Sequence, residues 1–116
     1  MEPSEKNLID NGREFLKEAD RAKEDGAYNS SVTLYFKAIA VIIDLFILKK
    51  EGFIPSNHNE RFRILETKYP LLYKILDKNF PVYQQSYRLK LTKEYSNAME
   101  NDLENVIEFT KIKINY

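Results

Sequence analysis

YNSSVTLYFKAIAVIIDLFILK, residues 28–49, is the longest apolar segment of the chain, and its reading decides the fold. It is too long for one strand and contains neither Pro nor Gly, so it reads as a helix. At 100° per residue, Val32, Phe36, Ile39, Ile43, Phe46 and Ile47 share one face. Leu34, Val41, Leu45 and Leu48 lie on nearly the opposite face, with a narrow polar strip of Thr33, Lys37 and Asp44 between the two. A helix apolar on two faces either sits at the centre of a bundle or shares one face with a partner chain. The uncharged run from Ala38 to Ile43 is short and Asp44 comes directly after it, so a membrane span is not expected.

Outward from this helix the punctuation is local. Ser4 is an expected N-cap for a first amphipathic helix carrying Leu8, Phe15, Ala19 and Ala22. Asp25-Gly26 ends it, and so short a connection makes the first two helices antiparallel neighbours. Lys49, Lys50 and Gly52 end the central helix. Phe53 and Ile54 are expected to close the end of the bundle. Asn57, with Glu60 three residues on, reads as a capping box opening a short third helix with Phe62, Leu65 and Tyr69 inward. Pro70 marks a restart, since Pro suits a helix's first turn. Pro81 either kinks the restarted helix or begins another helical piece through residues 82–91, with Tyr83 and Tyr87 on one buried face. Thr92 caps a last helix with a stripe of Tyr95, Met99, Leu103, Val106, Phe109 or Thr110, and Lys113. The expected fold is all-α: an antiparallel bundle of four to five helices around one long central helix, as a single domain over residues 1–116.

Composition sets limits on function. Eighteen basic and eighteen acidic residues cancel, so there is no global electrostatic case for nucleic acid, and no reading of DNA grooves is expected. There is no Cys, hence no disulfide and no thiolate metal site. The first ten residues are polar and acidic, unlike a signal peptide, and a cytoplasmic setting is expected. Three Gly are too few for a phosphate-cradling loop. No cofactor and no metal are expected.

The candidate site residues are Lys37, Asp44, His58, Tyr87 and Arg88. Lys37 and Asp44 are about 10 Å apart along the central helix at 1.5 Å per residue, so each, if buried, requires a partner from another helix. They line a polar pocket between helices or, more plainly, belong to a structural ion pair or lie exposed along the bundle groove. His58 is the sole histidine. It is a candidate base or ligand, or simply a solvent-facing residue of a first helical turn. Tyr69, Tyr73, Phe80, Tyr83 and Tyr87 mingle with Lys78, Arg88, Lys90 and Lys93, a mixture able to stack on and hold a nucleotide or RNA. Core packing is the simpler account of those aromatics. Leu34, Val41 and Leu48 are candidates for a homodimer contact, because a bare apolar strip suits a two-fold interface.

The order of parts resembles the HEPN family, small all-helical modules of prokaryotes linked to nucleotidyltransferases and to RNA-cleaving defence proteins. The residues carrying the likeness are DGAYNSS, the long helix YNSSVTLYFKAIAVIIDLFILKK, GFIPSNHNERF, and SYRLKL before a final amphipathic helix. RNA-cleaving members carry an Arg and a later His with four to six residues between them. Here Glu51, Gly52 and Phe53 stand where that Arg would have to be, so the family's ribonuclease mechanism is not expected and no catalytic residue carries over. The resemblance implies a homodimer, a toxin–antitoxin setting, and a nucleotidyltransferase partner or the binding of a nucleotide or RNA. The competing readings are a degenerate ribonuclease using His58, Tyr87 and Arg88, and a bundle serving only as a protein-interaction scaffold.

Overall fold

The computed structural model describes residues 3–116. Among them are five helices and no strand: α1 (Pro3–Glu24), α2 (Tyr28–Glu51), α3 (His58–Lys68), α4 (Pro70–Gln85) and α5 (Lys93–Thr110). The all-α bundle around one long helix is as the sequence predicts. α2 packs against α1, α4 and α5, and α3 packs on α4. Residues 38–47 of α2 are buried without a gap, on every side of the helix. Phe36, Ile39 and Ile43 are at most 1% exposed. By length and composition α2 could cross a membrane, but 78% of its apolar window is buried inside the bundle.

The turns form for reasons visible in the chain. Gly26 sits at φ 76°, and the bonds Ala27 N–H to Ala22 O (2.8 Å) and Gly26 N–H to Lys23 O (3.1 Å) make a Schellman ending for α1. Gly52 ends α2 at φ 89°. Asn57 caps α3, its Oδ1 accepting the Glu60 N–H at 2.9 Å, while Glu60 Oε1 accepts the Ser56 N–H at 2.7 Å. Glu60 thus closes the box one residue earlier than the standard pattern. Tyr69 serves as both the end of α3 and the start of α4, with Pro70 in the first turn. Pro81 lies within α4, which runs on for four more residues.

Several expectations need correction. Ser4 lies inside α1, which is already helical at Pro3. Phe53 is 45% exposed, and Pro55 rather than Phe53 is the buried residue of its loop. α4 stops at Gln85, so Tyr87 is not on a helical face with Tyr83 and is 91% exposed. The stripe of α5 begins at buried Ser96 rather than Tyr95, because Ser96 Oγ meets Ser31 Oγ at 2.7 Å where α5 crosses α2. Of the two alternatives at its end, buried Thr110 holds the inner position and Phe109 is 42% exposed, which is one of the readings expected. Lys113 is not helical: α5 ends with Lys111 at φ 60°, and residues 111–116 fold back as an extended tail.

That tail packs over part of the second apolar face of α2, beside Val41. Ile114 joins the core, Arg13 Nε donates to Asn115 O at 2.7 Å, and the Tyr116 hydroxyl donates to Asp20 at 2.7 Å. Gly12 lets the tail lie close. A Cβ there would stand 2.6 Å from Ile114 Cδ1 and 3.0 Å from Val41 Cγ1. Of the strip proposed for a two-fold contact, the chain itself covers Val41 but not all of Leu34 and Leu48. Val41 is 6% exposed, and Leu34 and Leu48 are half-buried.

Candidate functional site

Lys37 and Asp44 do not form one pocket. Lys37 is exposed, with its ammonium 5.8 Å from the centre of the Phe15 ring, a cation–π contact between α2 and α1. Asp44 is buried and takes a bidentate pair from Arg61 of α3: Nε to Oδ1 at 2.6 Å and Nη2 to Oδ2 at 2.8 Å. Arg61 is not among the residues that the sequence singles out. A buried carboxylate requires such a partner, but nothing in the pattern of α3 marks Arg61 as the inward-facing basic residue.

The third arm of Arg61 reaches His58. Nη1 lies 2.6 Å from His58 Nδ1. Arg donates only, so Nδ1 must be the acceptor and the remaining proton sits on Nε2. In this arrangement the imidazole's one lone pair is occupied, so His58 would have to leave Arg61 before it could accept a proton. Its ring packs against Phe80, with centroids 5.4 Å apart, and lies near Phe36. His58 is an exposed residue overall, as the solvent-facing reading of a first helical turn expects, but partial burial of its ring lowers the His58 pKa, with the Arg61 charge adding to the effect and Asp44 opposing it. Because the folded-state pKa is the lower one, the neutral ring contributes stability that is complete above about pH 6.5 and is lost as pH falls below it. Proton NMR of the ring should show a midpoint below 6.5. A midpoint at or above that value would mean that the ring is not packed against Phe80 and Arg61 in solution.

A second polar cluster joins α1, α2, α5 and the tail. The Tyr35 hydroxyl donates to Asp20 at 2.5 Å, with Glu100 3.2 Å away, and Lys23 pairs with Glu100. Burial, then the Asp20 hydrogen bond, pushes the Tyr35 pKa well up, so the phenol stays a donor. Every group there has a partner, and the cluster reads as a lock between helices.

Tyr87 and Arg88 come together on a built loop, residues 86–91, between α4 and α5. Asn29 at the start of α2 clamps it. Its Nδ2 donates to Ser86 O at 2.8 Å and Leu89 O at 2.6 Å, and its Oδ1 accepts the Leu91 N–H at 2.9 Å. Thr33 and Ser86 join hydroxyls at 2.9 Å, and Leu91 is anchored in the core. What the clamp displays is Tyr87 at 91% exposure, Leu89 at 53%, and the exposed cations Arg88 and Lys90. Shallow grooves flank the loop. One of about 420 Å³ is lined by Pro81, Gln84, Gln85, Arg88 and Leu89. The other, of about 330 Å³, is lined by Asn29, Ser30, Thr33, Leu34 and Ser86.

Of the five residues that the sequence singles out, the structure thus joins Asp44 to His58 through Arg61, joins Tyr87 to Arg88 on the loop, and leaves Lys37 apart. Asn29 and Leu89 are additions from the structure. A polar residue in a first helical turn, 57 positions before its main partner, carries no local signal. Among the described residues no group of three or more His, Asp or Glu side chains is arranged to hold a metal ion. Comparison with models of known protein families, with curated proteins and with solved structures finds no match to this chain.

Proposed function

We propose that the chain is a non-catalytic, HEPN-like helical module that works by binding, and that the loop of residues 86–91 is where it takes single-stranded RNA. One observation carries this reading: a loop clamped by three hydrogen bonds to Asn29 holds an almost fully exposed Tyr87, followed by the exposed cations Arg88 and Lys90. Ordering a loop costs conformational entropy, and here that cost is met within the free protein. A rigid aromatic ring is a stacking platform that accepts any base, and Arg88 and Lys90 stand where a phosphodiester backbone would run past it. The engaged lone pair of His58 supports the non-catalytic part. A second copy, as the HEPN resemblance implies, would have to meet this chain on a surface other than Val41.

Fluorescence anisotropy with a labelled single-stranded RNA oligomer tests the reading. Tyr87→Ala should weaken binding by about 1–3 kcal/mol, the range for one stacked base. Arg88→Ala and Lys90→Ala should each flatten the slope of log affinity against log salt by about 0.7. Absence of binding at low salt, or binding indifferent to all three changes, would overturn it.

A further inference from the structure

A different groove lies at the far end of α2, about 28 Å along the helix from Asn29 at 1.5 Å per residue. It encloses about 560 Å³ between the start of α1, the end of α2 and the tail. That volume is within the usual range for small-molecule sites, roughly 300–1,000 Å³. Its floor is aliphatic: Ile9 from α1, Leu45 and Leu48 from α2, and Ile112 and Ile114 from the tail. Its rim is cationic: Lys49, Lys111 and Lys113 line it, against a single acid, Glu5. Among the described residues none of the three lysines is in a salt bridge.

The plainer account of Lys49 and Lys111 is that each sits at a helix C-terminus and suits the macrodipole. That account does not reach Lys113, which lies in the tail, nor the convergence of all three on one apolar floor. Nor does it explain the backbone at Lys111. This is the sole positive-φ residue other than glycine among the described residues, at φ 60°, a position where Gly would sit without strain. The strain is kept at a residue whose side chain lines the rim.

We propose that this groove binds an anionic amphiphile, an acyl chain lying on the aliphatic floor with its carboxylate or phosphate head among Lys49, Lys111 and Lys113. Charge and shape both select it. A neutral chain leaves three cations facing a single carboxylate, and an inorganic anion leaves the floor uncovered.

Isothermal titration of the full chain with decanoate, dodecanoate, dodecyl phosphate, dodecanol and inorganic phosphate, each amphiphile below its micelle concentration, tests this. Dodecanoate should bind about fifteenfold more tightly than decanoate, since each buried methylene is worth about a factor of four. Binding of dodecyl phosphate as well as dodecanoate would assign the recognition to negative charge, and preference for one would name the head group. Lys49→Gln, Lys111→Gln and Lys113→Gln together should lose about tenfold while helix content is kept. Tyr87→Ala and Arg88→Ala should leave the binding unchanged, which separates this groove from the RNA-binding loop. Equal binding of dodecanol, no dependence on chain length, binding of inorganic phosphate alone with the same strength, or self-association of the protein that excludes dodecanoate would each overturn the proposal.

Discussion

Arg61→Ala should destabilise the fold by about 3–5 kcal/mol in urea denaturation, one of the largest effects of any single change in α3. The reason lies in what remains. Asp44 sits in the middle of α2 with its side chain 7% exposed, and Arg61 supplies bonds to both of its carboxylate oxygens. Removing the guanidinium leaves a buried carboxylate that must either stay charged without a partner or take up a proton. His58 also loses the donor to Nδ1. The companion experiment separates the pair's net value from the cost of breaking it. Asp44→Leu with Arg61→Met replaces both charges by side chains that pack, and should be close to neutral or stabilising, because desolvation offsets most of the attraction within a buried pair. A loss below about 1 kcal/mol for Arg61→Ala would show that water reaches Asp44 and that the pair is effectively a surface one.

The same pair shows where legibility of the fold from sequence stops. Helix boundaries set by local chemistry are readable: Gly26, Gly52, the Asn57–Glu60 box and Pro70 each act within a few residues of themselves. So is the central place of α2, because ten consecutive buried positions require apolar or small side chains nearly all round it. That Asp44 needs a partner is clear from its position. Which residue it is cannot be read, since Arg61 lies 17 residues away on a helix whose other polar side chains are largely at the surface. The two misplaced termini share another cause. α4 ends at Ser86 through its own hydroxyl bond to Tyr83 O (2.6 Å), and α5 ends at Lys111 in a conformation that normally calls for Gly. Neither stop carries a Gly or Pro, so in the sequence the helical period runs on through Tyr87 and Lys113. The candidate loop is half legible for that reason. Its residue types suggest an aromatic and basic contact surface, whereas its exposure depends on the unmarked end of α4 and on the clamp from Asn29.

Val41→Glu should strongly destabilise the fold at neutral pH rather than release a folded monomer. On sequence alone Val41 belongs to a strip suited to a two-fold contact, where a new charge would separate two intact chains. In the fold it lies beneath Gly12 and Ile114, 6% exposed, with Cγ1 only 3.0 Å from where a Cβ on Gly12 would be. A longer side chain overpacks that contact at a cost of about 1–3 kcal/mol. The carboxyl must also be neutral to stay buried. Holding a group of ordinary pKa about 4.3 protonated at pH 7 costs roughly 3.5 kcal/mol. Together these approach the low end of the roughly 6–17 kcal/mol expected for a domain of this length. The second cost has a definite sign with pH. The folded-state pKa of the new Glu is raised, so its penalty is absent below about pH 4.3 and grows as pH rises toward the folded value. Val41→Gln shares the overpacking but cannot ionise. Thermal unfolding followed by circular dichroism should therefore find the Glu and Gln variants alike near pH 4 and the Glu variant far less stable at pH 7. A Glu variant that keeps its helix content and melts at the same temperature as the Gln variant across that range, while sedimenting at half the mass of the parent, would restore Val41 to an interface between two chains.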